Sequence, residues 1–312
     1  MRNVLIIGGS RFLGRAITES FLEEGSSKIW VMNRGSRDNL PGIAGSYQCD
    51  KKEREDFKKV LLDRPWDTII DTILDDEDLK WVVETLGRNV GHFIHTGSIG
   101  VYGDARRIPA PEWLPMQESE SEEVGGEVEE RIFNYKIRQD EVLQRAYNEK
   151  CFPMSILRMS NVYGRGDVPL DGLGGRNPEY FRRILRGETV EVSENGRALL
   201  QPGHVKDLGR AFLACALRPQ TIGQVYNIGG DWSLMIKDYV RLISRILGVK
   251  PSLEYVSREE LRNRYGQAND FVCQHMCSDI TKAAKDLDWY PQIPLEAGLR
   301  DNFQWMRETG KL

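Results

Sequence analysis

The sequence predicts an α/β fold that consists of a doubly wound parallel sheet and a smaller α/β C-terminal domain. A wholly apolar run at residues 4–7 breaks at two glycines and resumes with apolar residues along one side. This pattern is typical of a buried strand, a tight turn and a helix. Short apolar runs and amphipathic segments then alternate five times up to residue 103. Such alternation indicates a parallel sheet with helices on both faces.

The remaining elements follow from the same two periodicities. Strands are expected where short apolar runs end in polar or glycine residues, at 28–32, 46–49, 66–71, 92–96, 152–158, 190–192, 199–201 and 225–230. Helices are expected at 51–62, 79–88, 135–143, 179–186, 236–247, 279–287 and 295–307, with a further helix opening at 203–208. The acidic segment 116–131 is interpreted as a solvated loop or as the lead-in to a helix.

The turn after the first strand is the expected phosphate site. Gly8 can make the turn and Gly14 can let the helix pack close to the sheet, whereas Arg11 stands where the usual fingerprint has its middle glycine. The turn brings backbone N–H groups and a helix N-terminus to one point, which favours a bound phosphate over the alternative of an ordinary strand–helix turn. The residues expected to hold the cofactor here are Gly8, Gly9, Ser10, Arg11, Phe12, Leu13 and Gly14.

The end of the second strand is expected to select the cofactor. It lies about 20 residues after the glycine turn, where this type of fold places the adenosine ribose. Asn33 and Arg34 stand there instead of an acidic residue, and Arg37 adds a second cation. A guanidinium suits a 2′-phosphate, so we expect NADP, with NAD as the alternative and a solvated arginine as the simpler interpretation. Asp50, which ends the third strand, is expected at the adenine.

Composition narrows the classes of function. The chain has 312 residues, a net charge of −4 and a pI near 5.8, so the whole chain offers no basic surface for nucleic acid. No apolar run approaches the roughly 20 residues that span a bilayer, and the first strand begins too close to Met1 for a signal peptide. The five cysteines show neither a Cys-x-x-Cys pair nor zinc spacing, so we expect no metal site and a cytoplasmic protein.

Five motifs occur in register along nearly the whole chain. They are the glycine turn at 8–14, the Thr96-Gly97-Ser98 segment with 101–103, Arg158 with 161–164, the helix start at 204–208, and the turn at 226–230. Together they resemble the extended short-chain dehydrogenase/reductase superfamily, the NAD(P)-dependent nucleotide-sugar epimerases and dehydratases. The turn at 9–14, with 33–35 and 201–207, is also similar to an atypical branch that includes the chloroplast stem-loop-binding proteins, some of which bind RNA.

The resemblance implies a Rossmann-type dinucleotide-binding domain and a substrate domain. We expect the first at 1–163 with 200–228, and the second at 164–199 with 229–312. The resemblance also implies further cofactor contacts, from Thr72, Thr96, Lys136, Ser160 and Val162.

The implied chemistry is hydride transfer at a C–OH or C=O carbon. In the family a serine holds the substrate oxygen, a tyrosine exchanges the proton, and a lysine four residues later lowers the pKa of the tyrosine. Ser98 and Lys136 match the serine and the lysine, but Ile132 stands where the tyrosine should be. If the motif is aligned on Tyr135 instead, Gln139 stands in the place of the lysine. Tyr135 is also adjacent to Lys136 in the sequence, so the two side chains should point in different directions from the helix.

Tyr102, close to Ser98 in the sequence, is a candidate substitute for the missing acid, and a packed aromatic is the alternative. Arginines in the C-terminal half are candidates for a substrate diphosphate, with surface arginines as the alternative: Arg165, Arg176, Arg182 and Arg197. Three functions stay open. They are an NADP-dependent oxidoreductase or isomerase with a displaced acid, a non-catalytic NAD(P)-binding sensor, and an RNA-binding protein. A nucleotide-sugar-like small molecule is the expected partner and a homodimer is a further candidate, whereas nucleic acid is disfavoured and no membrane partner is expected.

Overall fold

A computed structural model describes residues 1–117, 121–124, 127–130 and 133–312. The strands are β1 (Arg2–Ile7), β2 (Ser27–Asn33), β3 (Gly45–Gln48), β4 (Thr68–Asp71), β5 (Phe93–Ser98), β6 (Ser121–Val124), β7 (Glu127–Glu130), β8 (Met154–Met159), β9 (Val162–Tyr163), β10 (Thr189–Ser193), β11 (Leu199–Leu200), β12 (Gly203–His204), β13 (Val225–Ile228), β14 (Leu234–Met235) and β15 (Ser252–Val256). The helices are α1 (Phe12–Glu24), α2 (Arg54–Leu62), α3 (Asp76–Leu86), α4 (Asn134–Lys150), α5 (Pro178–Leu185), α6 (Val205–Ala216), α7 (Ile236–Leu247), α8 (Arg258–Tyr265), α9 (Thr281–Leu287) and α10 (Leu295–Glu308).

The central sheet has seven parallel strands in the order β13-β8-β5-β4-β1-β2-β3. Strand β1 pairs with β2 on one side and β4 on the other, so the strand order reverses there and a crevice opens at the carboxyl ends. Val4, Leu5, Ile6 and Ile7 are all fully buried, as a strand covered on both faces requires. The predicted doubly wound parallel sheet is confirmed.

Helices cover both faces of this sheet. On one face α1 and α6 pack together, and Phe21 and Phe212 join the apolar residues of β1 and β2 there. On the other face α2, α3 and α4 bury Phe57, Leu79 and Leu143. The glycine turn between β1 and α1 therefore sits on a rigid, fully packed base.

A second core lies in the C-terminal half. Helices α5, α7 and α10 bury Phe181, Tyr239 and Phe303 together, next to the parallel pair β10 and β15. Helix α9 instead contacts α6 and β13, and Trp289 joins the first core. This part of the range 229–312 thus packs on the central sheet, while the division into two domains stays a prediction.

The structure also contains elements that the sequence did not indicate. Strand β15 and helix α8 have weak apolar patterns, since α8 buries Leu261 alone and five of its eight residues are charged. The described strands of the acidic segment, β6 and β7, pair antiparallel, with Ser121 opposite Glu130. This hairpin corrects the loop or helix interpretation. The sequence signal was the Gly125-Gly126 pair between the strands, which the run of glutamates obscured.

None of the described helices is both long and apolar enough to cross a membrane.

Candidate functional site

The turn between β1 and α1 depends on two glycines. Gly8 has a φ of +88°, in the left-handed region that glycine adopts at little cost, and its N–H donates to the Met32 carbonyl at 2.9 Å. A Cβ on Gly14 would lie 2.0 Å from the Gly8 carbonyl oxygen, so no side chain fits there. Arg11 precedes α1 and provides no side-chain cap. The first N–H groups of the helix therefore remain available to a ligand.

A cavity of about 600 Å³ opens beside this turn at the carboxyl ends of β1, β2 and β3. The sequence-predicted cofactor residues that line it are Gly8, Ser10, Arg11, Asn33, Arg34, Arg37 and Asp50. Arg34 and Arg37 are both exposed, and neither guanidinium has an ion-pair partner in the part of the chain that the structure describes. Two unpaired cations at the ribose end of the cavity are suited to a phosphate.

An amide network fixes the wall of this cavity. The Asn33 side-chain amide donates to Ser10 Oγ at 2.6 Å and to Asn39 Oδ1 at 2.8 Å. Asn33 Oδ1 accepts the Gly35 N–H at 2.7 Å, which orders the loop that carries Arg34. Asn39 was not predicted from the sequence, because nothing in the irregular stretch around it marks one position above another.

Lys51 is a second lining residue that the sequence interpretation missed. Its ammonium donates to the Ile73 carbonyl at 2.9 Å and to Asp75 at 3.2 Å, and it also contacts the fully buried Asp78. Lys51 follows the predicted Asp50 directly, so its position in the chain was the available signal. Because its charge is already paired, Lys51 holds the cavity wall in place.

The other end of the crevice contains the predicted serine and lysine. The Lys136 ammonium donates to the Thr96 carbonyl at 2.9 Å, at the end of β5. Burial lowers the pKa of Lys136, and the nearby carboxylates of Asp71 and Asp140 act in the opposite direction. Ser98 Oγ accepts the Gly100 N–H at 3.1 Å, which places this hydroxyl at the end of the same strand.

A buried polar network lies close to Lys136. The His95 ring nitrogens contact Asp71 Oδ2 at 2.7 Å and Gln139 Oε1 at 3.2 Å, and the Gln139 amide donates to the Leu74 carbonyl at 2.9 Å. His95 and Asp71 are both essentially inaccessible to solvent. Gln139, which takes the place of the lysine when the motif is aligned on Tyr135, is thus part of this buried network.

The tyrosine adjacent to Lys136 is closer than its helical position predicts. The Lys136 ammonium lies over the Tyr135 ring, 5.5 Å from its centroid, and both residues belong to the first turn of α4. The Tyr135 side chain is 45% exposed, so its hydroxyl can reach solvent or a ligand. Ile132, at the position of the missing tyrosine, lies outside the described residues.

Tyr102 is buried, and its hydroxyl is held by two hydrogen bonds. Its hydroxyl donates to Asn227 Oδ1 at 2.8 Å and accepts from Arg158 Nη1 at 2.7 Å, and Arg158 also pairs with Asp140 at 2.7 Å. Burial raises the pKa of Tyr102, and its side chain is only 5% exposed. These contacts favour the packed-aromatic interpretation over a role in proton transfer.

Three further predicted cofactor residues line the strand ends. Thr72 Oγ1 donates to the Ile7 carbonyl at 3.0 Å, beside the glycine turn, and Val162 pairs with Gly203 in the β9–β12 ladder. Ser160 Oγ is buried and has no hydrogen-bond partner among the described residues. A Cβ on Gly229 would lie 2.7 Å from this oxygen, so the glycine leaves room beside it. An unpaired buried hydroxyl of this kind is a suitable partner for a ligand amide.

Three of the four candidate substrate arginines have separate partners of their own. Arg165 pairs with Asp301 at 2.8 Å and with Glu308 at 2.7 Å. Arg176 donates to the Val168 and Val162 carbonyls at 2.6 and 2.8 Å. The remaining two are exposed or half-exposed at the surface, Arg182 in an ion pair with Glu179 and Arg197 beyond β10. These contacts favour the structural interpretation of Arg165 and Arg176 over a shared diphosphate site.

Comparison with known proteins adds independent information. The model of the NAD-dependent epimerase/dehydratase family matches residues 79–229. A chloroplast stem-loop binding protein of 41 kDa from Arabidopsis thaliana is 25% identical over 97% of this chain and 78% of its own length. A UDP-glucose 4-epimerase from Haemophilus influenzae is 21% identical over 99% of this chain and 98% of its own length.

Solved structures share the whole fold. The UDP-glucose 4-epimerase of Thermotoga maritima, solved with UDP-glucose, superposes with a TM-score of 0.74 at 22% identity and covers 98% of this chain and 99% of its own. The dTDP-glucose 4,6-dehydratase of Bacillus anthracis, solved in complex with NAD, gives a TM-score of 0.76 at 19% identity, covering 100% of this chain and 98% of its own. At these identities the likeness concerns the fold.

Proposed function

We propose that this chain is a member of the NAD-dependent epimerase/dehydratase family, whose model matches residues 79–229, and that it is an NADP-dependent oxidoreductase or isomerase of a nucleotide-sugar-like substrate. One observation carries the choice of cofactor. Arg34 and Arg37 line the cavity beside the glycine turn without a carboxylate partner among the described residues. The 2′-phosphate of the cofactor would supply the negative charge that pairs with these two arginines.

The residues present fit a dinucleotide. The glycine turn and the open N-terminus of α1 would hold the pyrophosphate, and Asn33 with the two arginines would hold the adenosine ribose and its phosphate. Ser160, with its unpaired hydroxyl, would contact the nicotinamide end. When bound, the nicotinamide supplies the hydride acceptor or donor.

The chain's own residues would orient the substrate and move its proton. Ser98 would hold the reacting oxygen by a hydrogen bond. Because the residue at 132 is isoleucine, which cannot exchange a proton, we assign the acid–base role to Tyr135, whose ring lies 5.5 Å from the Lys136 ammonium. Burial raises the pKa of Tyr135, and the neighbouring ammonium would favour the phenolate as the proton is transferred.

Calorimetric titration with NADPH and NADH tests the cofactor assignment. Arg34→Ala should weaken NADPH binding about tenfold or more, since a charge-assisted hydrogen bond contributes about 1.5–3 kcal/mol, and should leave NADH binding within about twofold. Arg88→Ala, at an exposed arginine beyond the end of α3, is the matched control and should change neither affinity. Equal loss for both cofactors would contradict a 2′-phosphate contact, and no binding of either would end the proposal.

A non-catalytic NAD(P)-binding sensor is the second candidate, and the isoleucine at 132 is the observation that favours it. Product analysis after incubation with NADP or NAD and a panel of UDP- and dTDP-sugars separates the two. Turnover supports the enzyme, whereas cofactor binding without turnover of any sugar nucleotide supports the sensor.

RNA binding is the third candidate and rests on the name of the Arabidopsis relative. The net charge of −4 disfavours it. A gel-shift with structured RNA at moderate salt decides, since absence of retardation removes this candidate.

A reducing compartment and a homodimer stay part of the proposal. The five free cysteines are consistent with the former.

A further inference from the structure

A second cavity, of about 700 Å³, lies behind the glycine turn. Helix α1, the start of α6 and the end of α10 form its walls, and it shares only Ser10, Arg11 and Arg37 with the cofactor cavity. The residues of α6 and α10 that line it belong to no site described above. A volume of this size is within the range of small-molecule sites.

The lining of this cavity is strongly positive. Six cations contribute to it, Arg11, Arg15, Arg37, Arg165, Lys206 and Lys311, against three carboxylates, Glu19, Asp38 and Asp301. Two of the carboxylates are already used, because Glu19 pairs with Arg15 at 3.0 Å and Asp301 pairs with Arg165 at 2.8 Å.

The unpaired cations include Lys206 and Lys311, at the start of α6 and beyond the end of α10. Neither ammonium has an ion-pair partner in the described part of the chain. A concave surface lined by like charges focuses the field and attracts an anion, and the mutual repulsion of the cations is relieved when one binds. The cavity is therefore suited to a ligand that carries a phosphate or diphosphate.

Aromatic surface completes the lining. Phe12 and Trp305 are both half-buried there, and the Lys311 ammonium lies 5.7 Å from the centroid of the Trp305 ring. Because the Lys311 ammonium lies over this ring, it would move off the ring to contact a phosphate while the ring stacks on the flat aromatic group of the same ligand. His204 adds a third ring to the wall.

We propose that this cavity binds a nucleoside phosphate next to the cofactor, with Lys206 and Lys311 on the phosphates and Trp305 on the base. The two sites meet at Arg11 and Arg37, so occupation of one changes the charge at the wall of the other. This site does not depend on the proposed function, because neither Lys206 nor Trp305 lines the cofactor cavity.

Calorimetric titration of ADP into the full chain saturated with NADPH tests this site. We expect one ADP per chain. Lys206→Ala and Lys311→Ala should each weaken ADP binding about fivefold or more and leave NADPH affinity within about twofold. Lys285→Ala, at an exposed lysine on α9, is the matched control and should leave both unchanged. Thermal unfolding of each variant establishes that it is folded.

Two further probes test the ligand class. Trp305→Leu should weaken ADP more than inorganic pyrophosphate, which has no base, and adenosine should bind more weakly than ADP. Pyrophosphate binding as tightly as ADP to the wild type would overturn the assignment of a nucleoside. Absence of ADP binding to the NADPH-saturated chain, or binding unaffected by both lysine variants, would overturn the site.

The test also stands if NADPH does not bind. ADP is then titrated into the free chain, and a loss of binding in Lys206→Ala but not in Arg34→Ala supports the second cavity. The reverse pattern assigns the ADP to the cofactor cavity and overturns this proposal. Failure of the cofactor assignment and failure of the second site are thus distinguished.

Discussion

At the scale of single residues, the displaced tyrosine is the point on which catalysis depends. If Tyr135 is the acid–base group, Tyr135→Phe should lower the rate with any sugar nucleotide that is turned over by about 10²–10⁴. Cofactor affinity should stay within about twofold, because the phenol hydroxyl is the only group removed. Turnover is measured by product analysis and affinity by calorimetry.

Two variants make this prediction decisive. Tyr147→Phe removes a hydroxyl from a partly exposed tyrosine on the same helix and should change nothing. Ile132→Tyr restores the family spacing to Lys136 and should raise the rate of the Tyr135→Phe variant. A full rate in Tyr135→Phe alone would remove Tyr135 from the mechanism and make Lys136 the next candidate for proton transfer.

At the scale of elements, the strand–turn–helix unit carries cofactor binding. Gly14→Ala would place a methyl group 2.0 Å from the backbone oxygen of Gly8, so α1 must move away from the turn. We expect a loss of about 1–3 kcal/mol of stability, as for overpacking, and loss of detectable NADPH binding by calorimetry. Gly25→Ala, at the other end of α1 with a φ of +78° and open space around it, should cost about 1 kcal/mol of stability but leave NADPH affinity unchanged. If Gly14→Ala still binds NADPH normally, the close approach of α1 to the glycine turn is not required for cofactor binding.

The same scale separates what the sequence could predict from what it could not. Strand β1 and helix α7 carry strong apolar patterns, because burial imposes them. Strand β15 and helix α8 are largely exposed, so burial leaves little pattern in their sequences. The residues around the glycine turn were predictable because a backbone shape selects them. The contacts of Asn39 depend on side-chain placement in an irregular segment, and the contact between Lys136 and Tyr135 depends on side-chain rotamers within α4; no local pattern encodes either.

At the scale of the whole molecule, two neutral histidines make stability depend on pH. Ser155 Oγ donates to the Thr221 carbonyl at 2.6 Å, so the His92 Nε2–H must donate to Ser155 at 2.7 Å. Burial lowers the pKa of His92 to about 4 and that of His204 also to about 4, from an ordinary value of 6.5. The unfolded chain therefore takes up protons at a higher pH than the folded chain does.

The free energy of unfolding should be highest above pH 6.5 and should fall as the pH drops from 6.5 to about 4. Each histidine contributes up to about 3 kcal/mol of this loss, from about 1.4 kcal/mol for each unit of pKa difference. His92→Gln removes one of these protons and should flatten the curve in that window, whatever its effect at pH 7. His275→Gln, at an exposed histidine, is the matched control and should leave the slope unchanged. Urea unfolding at half-unit steps of pH measures both. A slope unaltered by His92→Gln would mean that His92 takes up its proton equally in the folded and unfolded chain, which would contradict the effect of burial on its pKa.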